Sequence, residues 1–117
     1  MAKLGFMVTR SLSASTGSRT LSLLAAAALN KEHEVCILFT ADGVYQCVRR
    51  QKRKSDDDGD FQQKLQKFVC AGAEVLVSSS CLESRGIPIG NMCSGVKVVT
   101  FEEIAKMMGQ VDQVVCL

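Results

Sequence analysis

Six cysteine thiols are the side chains of this sequence best suited to nucleophilic chemistry, and one of them stands at a strand end. Cys81 directly follows a short apolar run and three serines, in "VLVSSSCLESRG". A thiolate is the nucleophile of sulfur transfer, where it attacks sulfur or carries it as a persulfide. If "CLESRG" begins a helical turn, free N–H groups near Cys81 favour the thiolate, and Ser79, Ser80 and Arg85 add hydroxyl donors and positive charge. An inert thiol buried after a strand is the alternative, and the sequence leaves both open.

The other five cysteines have patterns typical of packing rather than chemistry. Cys36 and Cys116 fall inside apolar runs and are expected to be buried. Cys47 and Cys70 lie on predicted helices, where packing is again expected. Cys93, in the loop sequence "GNMCSG", could be exposed, and either a relay role or no role is open for it. No C-x-x-C pair occurs and the single histidine lies in a polar turn, so no metal site is predicted.

Apolar, β-branched runs predict the strands that position these thiols. The five runs cover residues 3–9, 34–40, 73–79, 96–100 and 113–117. They do not alternate polar with apolar residues, which is typical of parallel strands covered on both faces.

Amphipathic patterns between the strands predict three helices, each with a capping residue and an apolar stripe. Their expected bounds are Ser15 or Thr16 to Asn30, Asp60 to Gly72 and Thr100 to Gly109, with a shorter helical turn at 42–50. The predicted inward-facing residues are Leu21, Leu24, Ala25, Ala28 and Leu29 in the first helix, Phe61, Leu65, Phe68 and Val69 in the second, and Ile104, Ala105 and Met108 in the third.

The order of these elements predicts an α/β fold, a three-layer α/β/α domain with a mostly parallel five-stranded sheet, over residues 1–117. The carboxyl ends of parallel strands share one edge of the sheet, where catalytic and binding groups collect. Three loops should meet at this edge: residues 10–19, residues 40–44 and the loop that begins with Ser79.

Composition excludes several function classes. The 117 residues carry a formal net charge of only +2, which gives no strong attraction to nucleic acid or to a membrane surface. No export signal is visible, and the longest apolar run is too short to cross a membrane, so a cytoplasmic protein is expected. Residues 49–60 place a basic block before an acidic one; a solvated loop and a docking loop for an anionic partner are both consistent with that pattern.

Three motifs, in this order, resemble the DsrE/DsrF-like family of small sulfur-relay proteins. They are "LFTADGVYQCVR" after the second strand, the cysteine loop "SSSCLESRGI", and the closing "GVKVVTFEEIAKMMGQVDQVVCL". The likeness extends over nearly the whole chain. Only "LES" separates Cys81 from the Arg-Gly pair, an interval closer to YchN-type members than to TusD-type members, in which it is longer.

The resemblance implies a flavodoxin-like three-layer fold and a homo-oligomer, commonly a trimer or hexamer. It also implies that Cys81 accepts a persulfide from a donor protein and passes it to an acceptor. In this hypothesis Ser79, Ser80 and Arg85 tune the thiol, while Asp42 and Arg19 line the pocket. No cofactor is expected.

Two other functions compete with the sulfur carrier. A non-catalytic oligomeric module could bind a small anion or a partner protein at the same edge, because "SASTGSRT" offers amides and hydroxyls at a helix start. Flavin binding is disfavoured because Gly17 and Thr20 lack flavodoxin spacing and the chain has no Trp and one Tyr.

Overall fold

A five-stranded sheet forms the centre of the structure, a computed structural model that describes residues 2–9, 17–48 and 65–117, with backbone alone for 17–19. Its strands are β1 Lys3–Val8, β2 Glu34–Phe39, β3 Glu74–Ser78, β4 Val96–Val99 and β5 Gln113–Cys116. All five predicted strands are present, each end within one residue of its expected position. Every strand pairing in the sheet is parallel, as the unbroken apolar runs indicated.

Helices connect the strands. They are α1 Gly17–Asn30, α2 at residues 65–70, α3 Ser79–Ser84 and α4 Phe101–Met108, with 3₁₀ helices at Ala41–Cys47 and Ile89–Asn91. Gly72 ends α2 with a φ of 98°, a left-handed conformation that suits glycine. Thr100 caps α4 by accepting a hydrogen bond from the Glu103 N–H at 3.3 Å, as predicted.

The strand order is β4-β3-β2-β1-β5, so the chain steps in one direction from β1 to β4 and then returns across β1 to β5. Since crossover connections are right-handed, this reversal places α4 on the opposite face from α1. Buried residues of α1 pack against alternate β2 residues such as Ile37, whereas Met107 of α4 packs against Cys36 and Leu38.

The two faces are buried to different extents. The α1 and α2 side holds the large core, which includes Phe6, Phe39, Leu65 and Leu82. The α4 side holds a small cluster of Cys36, Leu38, Leu76, Val99 and Met107. The sheet therefore gains most of its apolar burial from one face.

Several burial predictions are wrong. Leu24 and Ala105 are exposed because they lie beside the apolar stripes of their helices rather than within them. Cys70 at the end of α2 and Cys116 on edge strand β5 are also exposed, whereas Cys93 is buried. An edge strand is covered on fewer sides than a central one, which explains Cys116.

Some predictions fall outside the described residues. These are the caps Ser15 and Thr16, the capping box of Asp60 with Gln63, Phe61, most of the loop at 10–19, and the charged segment at 49–60. Within the helices that are described, none is long and apolar enough to span a membrane.

Candidate functional site

The candidate site forms where β2 and β3 end side by side. The two strands are neighbours in parallel register, with Phe39 opposite Val77, so the segments that follow them leave the sheet together. The 3₁₀ helix begins at Ala41 after β2, and α3 begins at Ser79 after β3. This arrangement brings Cys81, the third residue of α3, against the start of the 3₁₀ helix.

The Cys81 sulfur accepts a hydrogen bond from a backbone amide. The Ala41 N–H lies 3.2 Å from Cys81 Sγ. Ala41 has a φ of 50°, a left-handed conformation that costs a non-glycine residue energy and recurs at functional sites. The thiol itself is half-buried and contacts the edge of the large core. It is thus held in place on one side and open to solvent on the other.

Two serines also hydrogen-bond the thiol. Ser78 is buried at the last position of β3, Ser80 is exposed on α3, and both side chains bond to Cys81. Their hydroxyl oxygens lie 3.2 Å from each other. Because a hydroxyl can donate its hydrogen to a thiolate, this pair favours the ionised sulfur.

Arg85 joins the two segments across the site. Its Nε donates to Asp42 Oδ1 at 3.1 Å, and its Nη2 forms an ion pair with the same oxygen at 3.1 Å. Its Nη1 donates to the Cys81 carbonyl oxygen at 3.2 Å. The guanidinium is therefore fixed close to the thiol, although Asp42 offsets part of its charge.

These groups lower the pKa of Cys81. Partial burial opposes ionisation and is the largest single influence, but the Ser78 hydroxyl, the Ala41 amide, the Arg85 charge and the Ser80 hydroxyl together outweigh it. A cysteine that is partly exposed and more acidic than usual has the character of a reactive thiol.

Gly43 fixes the 3₁₀ helix against β1. A Cβ on Gly43 would lie 2.1 Å from the Val8 carbonyl oxygen, so no larger residue fits without displacing backbone. The Thr40 N–H donates to that same oxygen at 2.9 Å. This close approach determines where the neighbouring Ala41 amide lies, and so whether the amide reaches Cys81.

The structure brings together Cys81, Ser80, Arg85 and Asp42 from the predicted set. Ser79 begins α3, but among the described contacts the hydroxyls at the sulfur come from Ser78 and Ser80. Arg19 lies in α1, and its side chain is outside the described residues. The described residues contain no cluster of three or more His, Cys, Asp or Glu side chains able to hold a metal ion.

Sequence reasoning missed two contributors. Ser78 belongs to the same run of three serines as Ser79 and Ser80. Its position as the last residue of a buried strand is the signal that could have identified it as a donor to Cys81. Ala41 acts through its backbone N–H, which no residue type reveals. The amide donor was expected from the start of α3 itself, but that helix begins two residues before Cys81, and the donor comes from the first residue of the neighbouring 3₁₀ helix.

Comparison with known proteins supports the resemblance seen in the sequence. The sequence model of the DsrE/DsrF-like family matches residues 2–117. The chain belongs to the DsrE/DsrF-like family. This membership suggests a sulfur-relay role in general terms. Among curated sequences, the chain is similar to "Uncharacterized protein MK0008" of Methanopyrus kandleri. The two are 25% identical over 91 residues, which are 78% of this chain and 74% of that protein.

Solved structures of similar fold confirm the architecture. The ychN protein from E. coli superposes with a TM-score of 0.84 at 21% identity, covering 100% of both chains. MTH1491 from Methanobacterium thermoautotrophicum superposes with a TM-score of 0.69 at 17% identity, again covering 100% of both chains. BT1422 from Bacteroides thetaiotaomicron superposes with a TM-score of 0.72 at 16% identity, covering 99% of this chain and 95% of that one. At these identities the likeness establishes the fold.

Proposed function

We propose that this DsrE/DsrF-like chain is a sulfur carrier in which Cys81 accepts a persulfide and hands its outer sulfur to an acceptor. The observation that carries the proposal is the convergence of the Ala41 amide, the Ser78 and Ser80 hydroxyls and Arg85 on one partly exposed sulfur. All of these groups favour the thiolate, which is the form that attacks sulfur.

The reaction needs no outside oxidant. The Cys81 thiolate attacks the outer sulfur of a donor persulfide, R–S–SH, and the donor S–S bond breaks. The donor leaves as the thiolate R–S⁻, taking the electron pair of the broken bond, and Cys81 becomes Cys–S–SH. Transfer of the outer sulfur to an acceptor nucleophile then restores the Cys81 thiolate. Sulfur moves between thiols with no net change in oxidation.

The test is to incubate the intact protein with glutathione persulfide and to weigh it. We expect one added sulfur, about 32 Da, that a dithiol reductant removes and that peptide mass spectrometry places on Cys81. Cys81→Ser should abolish this adduct.

Cys70 and Cys116 supply matched controls, since both are exposed thiols on other parts of the fold. Cys70→Ser and Cys116→Ser should leave the extent of labelling at Cys81 unchanged. An unmodified mass, or equal sulfur on all three cysteines, contradicts the assignment because exposure alone would then decide reactivity.

Binding of a small anion at the same edge has less support from the described residues. Among the described residues, Arg85 is the cation whose charge acts on the thiol, and Asp42 already pairs with it. A free anion would have to compete with that carboxylate. Inorganic phosphate binding in calorimetry that survives Cys81→Ser and is lost in Arg85→Gln would favour this alternative.

We also propose that the chain forms a homo-oligomer through the α4 face of the sheet. That face carries the smaller core, and beside it Phe101 and Val114 are 77% and 41% exposed. Apolar side chains left in water at the margin of a thin core suit contact with a second copy. Light scattering should give three or six chain masses, and Val114→Glu should reduce them; a monomeric wild-type chain contradicts this proposal.

A further inference from the structure

Cys47 and Cys93 form a thiol pair that does not include Cys81. Cys47 ends the 3₁₀ helix that begins at Ala41, and Cys93 lies in the segment before β4. The two segments meet in a short antiparallel bridge between Val48 and Met92. Counting one residue back on one side and one forward on the other places Cys47 directly opposite Cys93.

The backbone geometry confirms this opposition. The Cys93 N–H donates to the Cys47 carbonyl oxygen at 2.7 Å. Residues directly opposed in a hydrogen-bonded antiparallel pair have Cα atoms about 5.5 Å apart, with side chains on the same face. Disulfides span Cα separations of about 4.4–6.8 Å, most often near 5.5–6 Å. An opposed pair of this kind falls within the range of backbone separations that a disulfide spans, and both residues are thiols.

Cys93 is near enough to Cys47 to influence its ionisation. Burial, and secondarily the charge of the nearby Cys93, raises the pKa of Cys47 well above its usual value. Cys47 is fully buried and Cys93 is 6% exposed, yet the adjoining Asn91, Ser94 and Gly95 are exposed. Cys93 therefore lies just beneath the surface, and a small displacement of its segment gives an oxidant access.

We propose that Cys47 and Cys93 form a reversible disulfide when the protein meets a small-molecule disulfide such as oxidised glutathione. Cys93 loses its proton to solvent, attacks the oxidant and forms a mixed disulfide while one glutathione thiolate leaves. Cys47 then loses its proton, attacks the Cys93 sulfur and expels the second glutathione thiolate. Two protein thiols are oxidised by two electrons, and one glutathione disulfide is reduced to two thiols.

The bond would join the end of the 3₁₀ helix to the segment before β4 and close a loop of about 45 residues. Because such a cross-link restricts the unfolded chain, the oxidised protein should melt about 5–15 °C above the reduced protein. The pair does not involve Cys81, so the proposal holds whether or not the chain carries sulfur.

The experiment uses the full chain with Cys70→Ser, Cys81→Ser and Cys116→Ser, which leaves the thiols of Cys36, Cys47 and Cys93. Oxidised glutathione should lower the intact mass by about 2 Da, the two hydrogens lost, without a lasting glutathione adduct. After digestion with trypsin, a cross-linked peptide should join residues 86–97 to the fragment that contains Cys47. Cleavage after Phe39 or Tyr45 separates Cys47 from Cys36 in that peptide.

Matched variants exclude other linkages. Cys47→Ala or Cys93→Ala should prevent the 2 Da loss, whereas Cys36→Ala should permit it. Circular dichroism identifies the variants that remain folded, and the mass loss of the parent protein with the three Cys→Ser changes does not depend on them. Three results would overturn the proposal. The mass of the native protein stays unchanged as the ratio of oxidised to reduced glutathione is raised, the cross-link runs through Cys36, or the disulfide forms only in urea.

Discussion

Cys81 and Cys36 show how one residue type acquires opposite properties within a strand and just beyond the end of the neighbouring strand. Cys36 lies inside β2, where it faces α4 and donates its S–H to Met107 Sδ at 2.8 Å. The pKa of Cys36 is raised to about 11, mainly by burial. The negative charge of Glu74 also raises this pKa, and the positive charge of Lys3 partly lowers it. Cys81 lies just beyond β3, where hydroxyl and amide donors lower its pKa.

The difference follows from what the backbone offers at each place. Within β2 the N–H groups on both sides of Cys36 are used in the sheet ladders, and the side chain meets only apolar or weakly polar atoms. Past the strand ends the ladder stops, so the Ala41 N–H is available to the sulfur. Burial inside the central strand β2 thus raises the pKa of Cys36, whereas the donors beyond the end of β3 lower the pKa of Cys81.

The largest expected difference is in the rate of native alkylation. At pH 7 a thiol with a pKa of about 11 is ionised to about 1 part in 10⁴, so Cys36 should react at least roughly 100-fold more slowly than Cys81 with iodoacetamide. A time course of native labelling, read by peptide mass, measures both rates in one sample.

Cys70 and Cys116 are the internal reference for this comparison, as exposed thiols in the same chain. The midpoint of the pH–rate curve for Cys81 should lie below the usual pKa of a cysteine thiol. A Cys81 curve that coincides with both references would show that its donors have no net effect.

The next largest effect concerns stability at alkaline pH. Cys36 has a higher pKa in the folded state than in the unfolded chain, so its contribution is complete below about pH 9 and is lost as pH rises toward about 11. The loss should reach about 2–3 kcal/mol of unfolding free energy. The raised pKa of Cys47 acts in the same direction, and the lowered pKa of Cys81 in the opposite one.

Urea unfolding of the wild type and of Cys36→Ala between pH 8 and pH 10.5 measures this effect. The substitution lowers stability by a roughly constant amount through the cavity it leaves, and it should flatten the alkaline decline. Parallel curves for the two proteins would show that Cys36 ionises equally in both states.

The fold was accessible from sequence because it depends on patterns that local physics determines. Continuous apolar runs identified the parallel strands, and Thr100 with Glu103 marked the start of α4. Burial on each helix was less predictable, since Leu24 and Ala105 lie beside the apolar stripes of their helices and are exposed. No single apolar run predicts the order of the strands in the sheet.

The site was accessible only in part. Cys81 was singled out because it follows a strand, and Asp42 belongs to a loop expected at the same edge. The pairing of Asp42 with Arg85 depends on β2 and β3 being neighbours, which no local pattern states. The Ala41 amide depends on a left-handed backbone at a residue that rarely adopts it. Ligand sites of open α/β sheets usually lie where the strand order reverses, which here is at β1 between β2 and β5, whereas Cys81 lies beyond the end of β3.

A backbone change should alter Cys81 without touching Cys36. Gly43→Ala forces a Cβ toward the Val8 carbonyl and displaces the 3₁₀ helix, at a cost of about 1–3 kcal/mol. Loss of the Ala41 hydrogen bond should slow Cys81 alkylation at pH 7 by up to about tenfold. Thiol kinetics and urea unfolding on the same samples measure both effects.

Gly90→Ala is the matched control, because a Cβ there meets no atom within 4 Å. It should leave Cys81 alkylation unchanged. If Gly43→Ala keeps the wild-type rate while it destabilises the fold, the position of the 3₁₀ helix does not govern the thiol.

The smallest expected effect separates charge from position at Arg85 and Asp42. Arg85→Gln removes a cation that lowers the pKa of Cys81, so alkylation at pH 7 should slow by about two- to fivefold. Asp42→Asn removes the carboxylate that offsets this cation, so the rate should rise by a similar or smaller factor. Both changes should diminish in concentrated salt because these side chains are partly exposed.

A purely positional role gives a different pattern. If the Arg85–Asp42 pair acted only by holding α3 against the 3₁₀ helix, both substitutions would slow the reaction alike, and salt would matter little. Lys97→Gln supplies a charge-matched control, since Lys97 lines the groove beneath α4 rather than the thiol edge. Opposite signs at Arg85 and Asp42, with no change at Lys97, would mean that the local field makes Cys81 reactive where Cys36 is not.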